Sequence, residues 1–215
     1  MPAFPRAFAL ALMLAGANQV PADELDDLAA LWSIADEPYQ PVTRELEEPA
    51  FRHRKTLSVT ESSLADGWVP NRQCHANFPL FPALQISFRE GAVRNMAIVE
   101  RSGVEEAWVE EPTIQMKRTR PETTLCFTSE NHTMTYDAAS DEYSMTVGPY
   151  YLRLFDGYFP LDVDLTIEYP PGLLQCSGME PAQVEGGTVA REPGRIRFGA
   201  LFEGKLKLVF RFKPA

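Results

Sequence analysis

Asp162-Val163-Asp164-Leu165-Thr166-Ile167-Glu168-Tyr169 is the stretch that decides the fold class. Val163, Leu165, Ile167 and Tyr169 alternate with Asp162, Asp164, Thr166 and Glu168. Successive side chains of a strand point to opposite faces, so this pattern predicts a strand with one dry and one wet face. A one-residue slip would bury the acids, which fixes the register. The last strand-like run repeats the pattern with the other charge. Leu206, Leu208, Phe210 and Phe212 are read as facing in, while Lys205, Lys207, Arg211 and Lys213 face out.

The same period of two recurs at Leu57 and Val59, at Leu84, Ile86 and Phe88, at Met134 and Tyr136, and at Tyr143, Met145 and Val147. Residues 93–100, 106–110, 113–118 and 195–202 are further strand candidates. Nine or ten short strands result, separated by turn signals such as Asp66-Gly67, Asp156-Gly157, Gly186-Gly187 and Glu203-Gly204. Half-wet strands at this spacing predict a mainly β chain, an antiparallel β-sandwich with a small barrel as the alternative. Strands do not alternate with helical patterns, which argues against a parallel α/β sheet. An outer-membrane barrel fits poorly: most runs are shorter than the ~10 residues such strands need, and prolines interrupt them.

Two N-terminal segments differ from this pattern. Residues 1–17 carry Arg6, an apolar run from Ala7 to Ala15, and a small-x-small close at Ala15-Gly16-Ala17. That is the form of a cleaved signal peptide, with a second possible cut after Ala22. The run is about half the ~20 apolar residues a spanning helix requires, so no transmembrane anchor is expected in the mature chain. Residues 22–36 place Leu25, Leu28, Leu31 and Trp32 at helical steps behind a cluster of acids, predicting a short helix. Glu37 to Pro49, with three prolines and four glutamates, reads as an extended arm. The organisation expected is a signal peptide at 1–17, a helix and proline-rich arm at 18–50, and one β domain at 51–215.

A formal charge of −10 disfavours nucleic acid and anionic membrane surfaces as partners. Export to a periplasmic or extracellular compartment would allow disulfides. Three cysteines, Cys74, Cys126 and Cys176, permit three single pairings. Cys126 lies in a strand-like run and Cys74 reads as a loop residue, so a loop-to-strand clamp, Cys74–Cys126, is expected, with Cys176 free. Such a bond stabilises by about 4 kcal/mol on the chain-entropy model.

Local motifs for chemistry are few. Gly-x-Ser-x-Gly, Ser-x-x-Lys, His-Glu-x-x-His, Gly-x-Gly-x-x-Gly and Cys-x-x-Cys do not occur. His53 reads as solvated, His75 as an exposed neighbour of Cys74, and His132 as partly buried beside Met134. Metal binding by Cys74 and His75 would need two further ligands, and neither metal nor cofactor is expected. Asn131-His132-Thr133 matches a glycosylation sequon, read as a chance match. Asp162 and Asp164 lie roughly 6.5–7 Å apart on one strand face, within the glycosidase range, but any wet strand with two acids gives that spacing. Pairing with the cationic face of 205–213 would explain the acids if the two strands were neighbours.

The most unusual composition is Gly148 to Pro160, with Tyr150, Tyr151, Phe155, Tyr158 and Phe159 around Arg153 and Asp156. Aromatics stack on rings or insert into partners, and Arg and Asp orient them by hydrogen bonds. Tyr150, Tyr151, Arg153, Asp156 and Tyr158 are therefore the candidate ligand-binding residues, with an aromatic corner of the core as the alternative. The functional expectation is a non-enzymatic binding or structural protein for a protein or small-molecule ligand. The alternative is an envelope or carbohydrate hydrolase using Asp156, Asp162 or Asp164.

Overall fold

The computed structural model describes residues 37–154 and 157–215. The expected signal peptide, both cut sites, the 22–36 helix and Asp156 lie outside the described residues. The described chain is mainly β, with several antiparallel sheets and no closed barrel. Its strands are β1 (Gln40–Pro41), β2 (Phe51–Ser58), β3 (Trp68–Ala76), β4 (Ala83–Ser87), β5 (Val93–Ser102), β6 (Glu106–Glu110), β7 (Thr113–Lys117), β8 (Thr124–His132) and β9 (Met134–Asp137). There follow β10 (Glu142–Tyr150), β11 (Arg153–Leu154), β12 (Gly157–Tyr158), β13 (Leu161–Glu168), β14 (Leu174–Glu180), β15 (Thr188–Glu192), β16 (Arg195–Glu203) and β17 (Leu206–Pro214).

The largest sheet runs β1-β16-β13-β2-β3-β8-β5, with β15 also on β16; β14-β17-β10-β9, β4-β7-β6 and β11-β12 form smaller sheets. One pair departs from the antiparallel expectation. β13 and β2 run parallel, with Leu161 opposite Phe51 and Glu168 opposite Ser58. The proline-rich arm runs along the edge of β16, where Gln40 opposes Glu203 and Val42 N–H donates to Leu201 O. Gly204 lets it come close: a Cβ there would lie 2.1 Å from Pro38 O, and its φ is +78°.

Both deciding strands bury the faces their alternation predicts. Val163, Leu165 and Ile167 are at most 1% exposed, and Leu208, Phe210 and Phe212 are fully buried. They meet in one apolar cluster, with β13, β16 and Leu57 on one side and β10, β14 and β17 on the other. The two strands are not neighbours, however, so their charges do not pair. Asp162 faces Arg52 at 3.3 Å and Asp164 faces Arg54 at 4.0 Å, both cations supplied by parallel β2. The cations of β17 go to β14 and β10 instead, as Arg211–Glu180 and Lys213–Glu142. A second apolar cluster joins Leu125, Phe127, Val93 and Met96 to Ile114 and Met116 of β7 and to Phe78.

A short helix, α1 (Glu61–Asp66), links β2 to β3. Thr60 caps it: its side chain accepts from Ser63 N–H, and Ser63 Oγ accepts from Thr60 N–H. Gly67 ends it in the left-handed conformation, φ +79°, which glycine adopts without a Cβ penalty.

Cys74 and Cys126 are joined. Cys74 is a strand residue rather than a loop residue, directly opposite Cys126 in the β3–β8 register, with Cα atoms 4.0 Å apart. Cys176 is a free thiol, half-buried, its Sγ 3.7 Å from Gly178 O.

Candidate functional site

The aromatic segment divides at Tyr150. Residues of β10 alternate inward at Met145 and Val147, and a register shift between Val147 and Tyr150 changes the phase. Tyr150 therefore turns into the core, 5% exposed, while Tyr151 is 49% exposed. The β11–β12 hairpin sets Arg153 opposite Tyr158, and Phe159 N–H closes onto Leu152 O at 2.9 Å. The rings of Tyr151 and Tyr158 meet edge to face, centroids 6.2 Å apart, and Lys205 Nζ lies 5.9 Å from the centre of the Tyr151 ring. Of the five candidates, Tyr151, Arg153 and Tyr158 come together. Tyr150 lies behind them in the core, and Asp156 lies outside the described residues.

Among the described residues, the candidate carboxylates Asp162 and Asp164 each face an arginine. Asp162 and Asp164 share the outer face of the largest sheet with Arg52 and Arg54, and Glu168 on that strand binds Arg195 at 3.2 Å. No group of three or more His, Cys, Asp or Glu suited to a metal ion occurs among the described residues. Among the described residues, one open depression is lined by Tyr169, Glu168, Glu192 and Arg195 and another by Gln183, Val184, Val189 and Arg191. Neither includes the aromatic hairpin.

The inner face of the largest sheet holds a feature the hydrophobic period did not announce. Between its two apolar clusters runs a band of buried polar side chains: Lys55 on β2, Asn71, Gln73 and His75 on β3, and Ser129 and Asn131 on β8. Half-buried His53 extends it. Cross-strand register builds the band, since His53 opposes His75, Lys55 opposes Gln73 and Asn71 opposes Ser129. Hydrogen bonds run along it outward from Asn71. Ser129 Oγ donates to Asn131 Oδ1, and Asn71 Nδ2 donates to Ser129 Oγ and Gln73 Oε1. Gln73 Oε1 is thus taken as an acceptor, which leaves its amide to donate to His75 Nε2, 3.1 Å away. Neutral His75 must then carry its proton on Nδ1.

These residues correct three sequence expectations. His75 is buried between the rings of Phe51 and Phe127, and His53 Nε2 is enclosed against His75 and Tyr150. His132 is the exposed one: the chain breaks its alternation at Thr133, and the ring lies beside Trp68. Asn131 is 8% exposed and accepts from Ser129, so the sequon amide is not presented to solvent.

Burial controls the electrostatics of the band, because removal from water disfavours every charged form. It pushes the His75 imidazole down to about 3, with Lys55 adding to the effect. It holds His53 well below its usual range, helped by His75 and Lys55. It lowers the Lys55 ammonium to about 8 and raises the Tyr150 phenol. No carboxylate pairs with Lys55 among the described residues.

No family model and no curated protein matches the chain. A solved structure, a two-domain M1 zinc metallopeptidase bound to L-tryptophan, aligns with a TM-score of 0.42 and 10% identity. The alignment covers 84% of this chain and 45% of that one, so the chain spans less than half of that protein. A likeness at this level carries no argument about fold or chemistry.

Proposed function

We propose that this chain is an exported, non-enzymatic β-sandwich protein that binds a protein partner through its aromatic hairpin. The carrying observation is the split at Tyr150: one tyrosine anchors the segment in the core while Tyr151, with Tyr158 beside it, stays at the surface. Tyr and Arg are the residue types that dominate interface hot spots, and Arg153 lies in the same hairpin. The cross-strand disulfide fits an oxidising compartment. The hydrolase reading is less well supported, since Asp162 and Asp164 each face an arginine on a solvated sheet face.

Placing a photo-crosslinking amino acid at Tyr151 in the producing cells tests the reading. A discrete adduct is expected from position 151 and not from Arg211 on the outer face of β17. Equal adducts from both positions, or none from 151, would overturn it. Recovery of the chain only in the cytoplasmic fraction would overturn export.

A further inference from the structure

β15 stands at an edge of the largest sheet. It pairs only with β16, and all five of its residues are exposed. An edge strand turns the N–H and C=O groups of alternate residues away from its neighbour, where another strand can take them. The opposite edge of the sheet is blunted: the register of β5 shifts twice, and the Glu111 carboxylate accepts from Met96 N–H at 2.7 Å. β15 has no such protection. Its register with β16 runs unbroken from Thr188 to Glu192, and it contains no proline.

The edge also carries a formed depression. Val189 and Arg191 lie opposite Phe198 and Ile196, so they continue the core face of the sheet beyond its apolar cluster. With Val184 they line an open hollow of about 560 Å³. Val184 packs against the core cluster, and its carbonyl accepts from Gly187 N–H at 3.0 Å, which preforms that wall.

Charge and spacing select the occupant. Val189 is 38% exposed and offers an apolar seat. Arg191 makes no ion pair among the described residues, and Glu192 beside it points to the other face of the strand. The hollow therefore calls for one carboxylate and one apolar side chain. A second copy of β15, paired about Ala190, would set each Arg191 opposite a Val189 and supply no carboxylate. An added antiparallel strand meets Val189 and Arg191 with two of its own residues, two apart and in reverse order. We propose that β15 takes up an extended peptide segment of a partner protein as an added antiparallel strand, with an acidic residue over Arg191 and, two positions later, an apolar residue between Val189 and Val184. The hairpin at Tyr151 plays no part in this uptake.

Fluorescein-labelled Ser-Thr-Glu-Thr-Val-Thr-Ser is the probe, titrated with the full chain and followed by fluorescence anisotropy. Saturable binding is expected. Replacing the peptide's Glu by Lys should weaken it at least about tenfold, the coupling of a close charge pair. Arg191→Glu, at an exposed site, should reverse the preference. Methylating alternate peptide nitrogens should abolish binding in one set and spare it in the other, because strand addition uses only the nitrogens that face β15. Equal affinity for the two peptides, an unchanged preference in Arg191→Glu, or equal tolerance of both methylated sets would overturn the proposal. Failure of the glutamate peptide to bind would overturn it too, and a dimer in sedimentation would then give the edge to a second copy.

Discussion

Acidification should unfold this protein by way of His75. In the unfolded chain the imidazole titrates near 6.5, whereas in the folded chain burial depresses it to about 3. Below about pH 6.5 the unfolded state therefore takes up a proton that the folded state refuses, and stability falls with pH. The full contribution is present above the unfolded value and is lost progressively on the way down to 3. At one pK unit per ~1.4 kcal/mol, this histidine alone removes about 3 kcal/mol by pH 4.5 and about 4 kcal/mol by pH 3. A domain's whole stability is roughly 5–15 kcal/mol, so the loss is large. His53, also held low, acts in the same direction. Urea melts at pH 7, 6, 5 and 4.5 would measure it, with His75→Gln as reference. Glutamine keeps an acceptor for Gln73 and removes the titration, so its stability curve should be flatter than wild type by that same amount at pH 4.5. Parallel curves across the range would refute the argument, whatever the absolute stability of the variant.

The two deciding strands give a second test: Leu165→Ala or Phe210→Ala should destabilise by roughly 2–5 kcal/mol, while Asp164→Ser or Lys207→Ser should cost less than about 1 kcal/mol. Denaturant melts in which the charged positions proved costlier would invert the face assignment. Replacing Cys74 and Cys126 by Ala should lower stability by up to about 4 kcal/mol, as expected for a sequence separation of 52. Non-reducing peptide maps of the wild type should show that pair joined and Cys176 free. Gly204→Ala should cost about 1–3 kcal/mol, because the new Cβ meets Pro38 O and the backbone is left-handed. A melting temperature unchanged by Gly204→Ala would mean that the arm does not lie against β16.

What the sequence disclosed follows from where the apolar residues are. β13 and β17 bury four-residue apolar phases, and a period of two finds them. The strands β2 and β3 carry polar residues on both faces. Inward positions of β3 read Val69, Asn71, Gln73, His75, and the outward ones include Arg72 and Cys74. Around His53 and along β3 there is no hydrophobic phase to read, so Cys74 reads as a loop residue and His53 and His75 as solvated ones. The polar band was illegible for the same reason: it is a product of register between strands far apart in sequence. The charge partners of Asp162 and Asp164 could not be found either, because alternation says nothing about which strand lies alongside. α1 has six residues, under two turns, too few to express a helical period. In the aromatic segment the residue types were visible, but the bulge that sends Tyr150 inward and Tyr151 outward was not.

The parallel pairing at the middle of the largest sheet has a kinetic consequence. Phe51 waits for Leu161, and the arm at Gln40 waits for Glu203, so β2 has only β3 beside it and β1 has no strand partner until strands from the far end of the chain exist. Chain closure over such distances is slow, and topologies dominated by remote contacts fold slowly. The β3–β8 hairpin-like unit can assemble earlier, and once Cys74 and Cys126 are linked it brings the two halves of the chain nearer before β13 arrives. In a topology of this kind the β1–β16 and β2–β13 pairings close only once most of the chain is available, so they complete the largest sheet late.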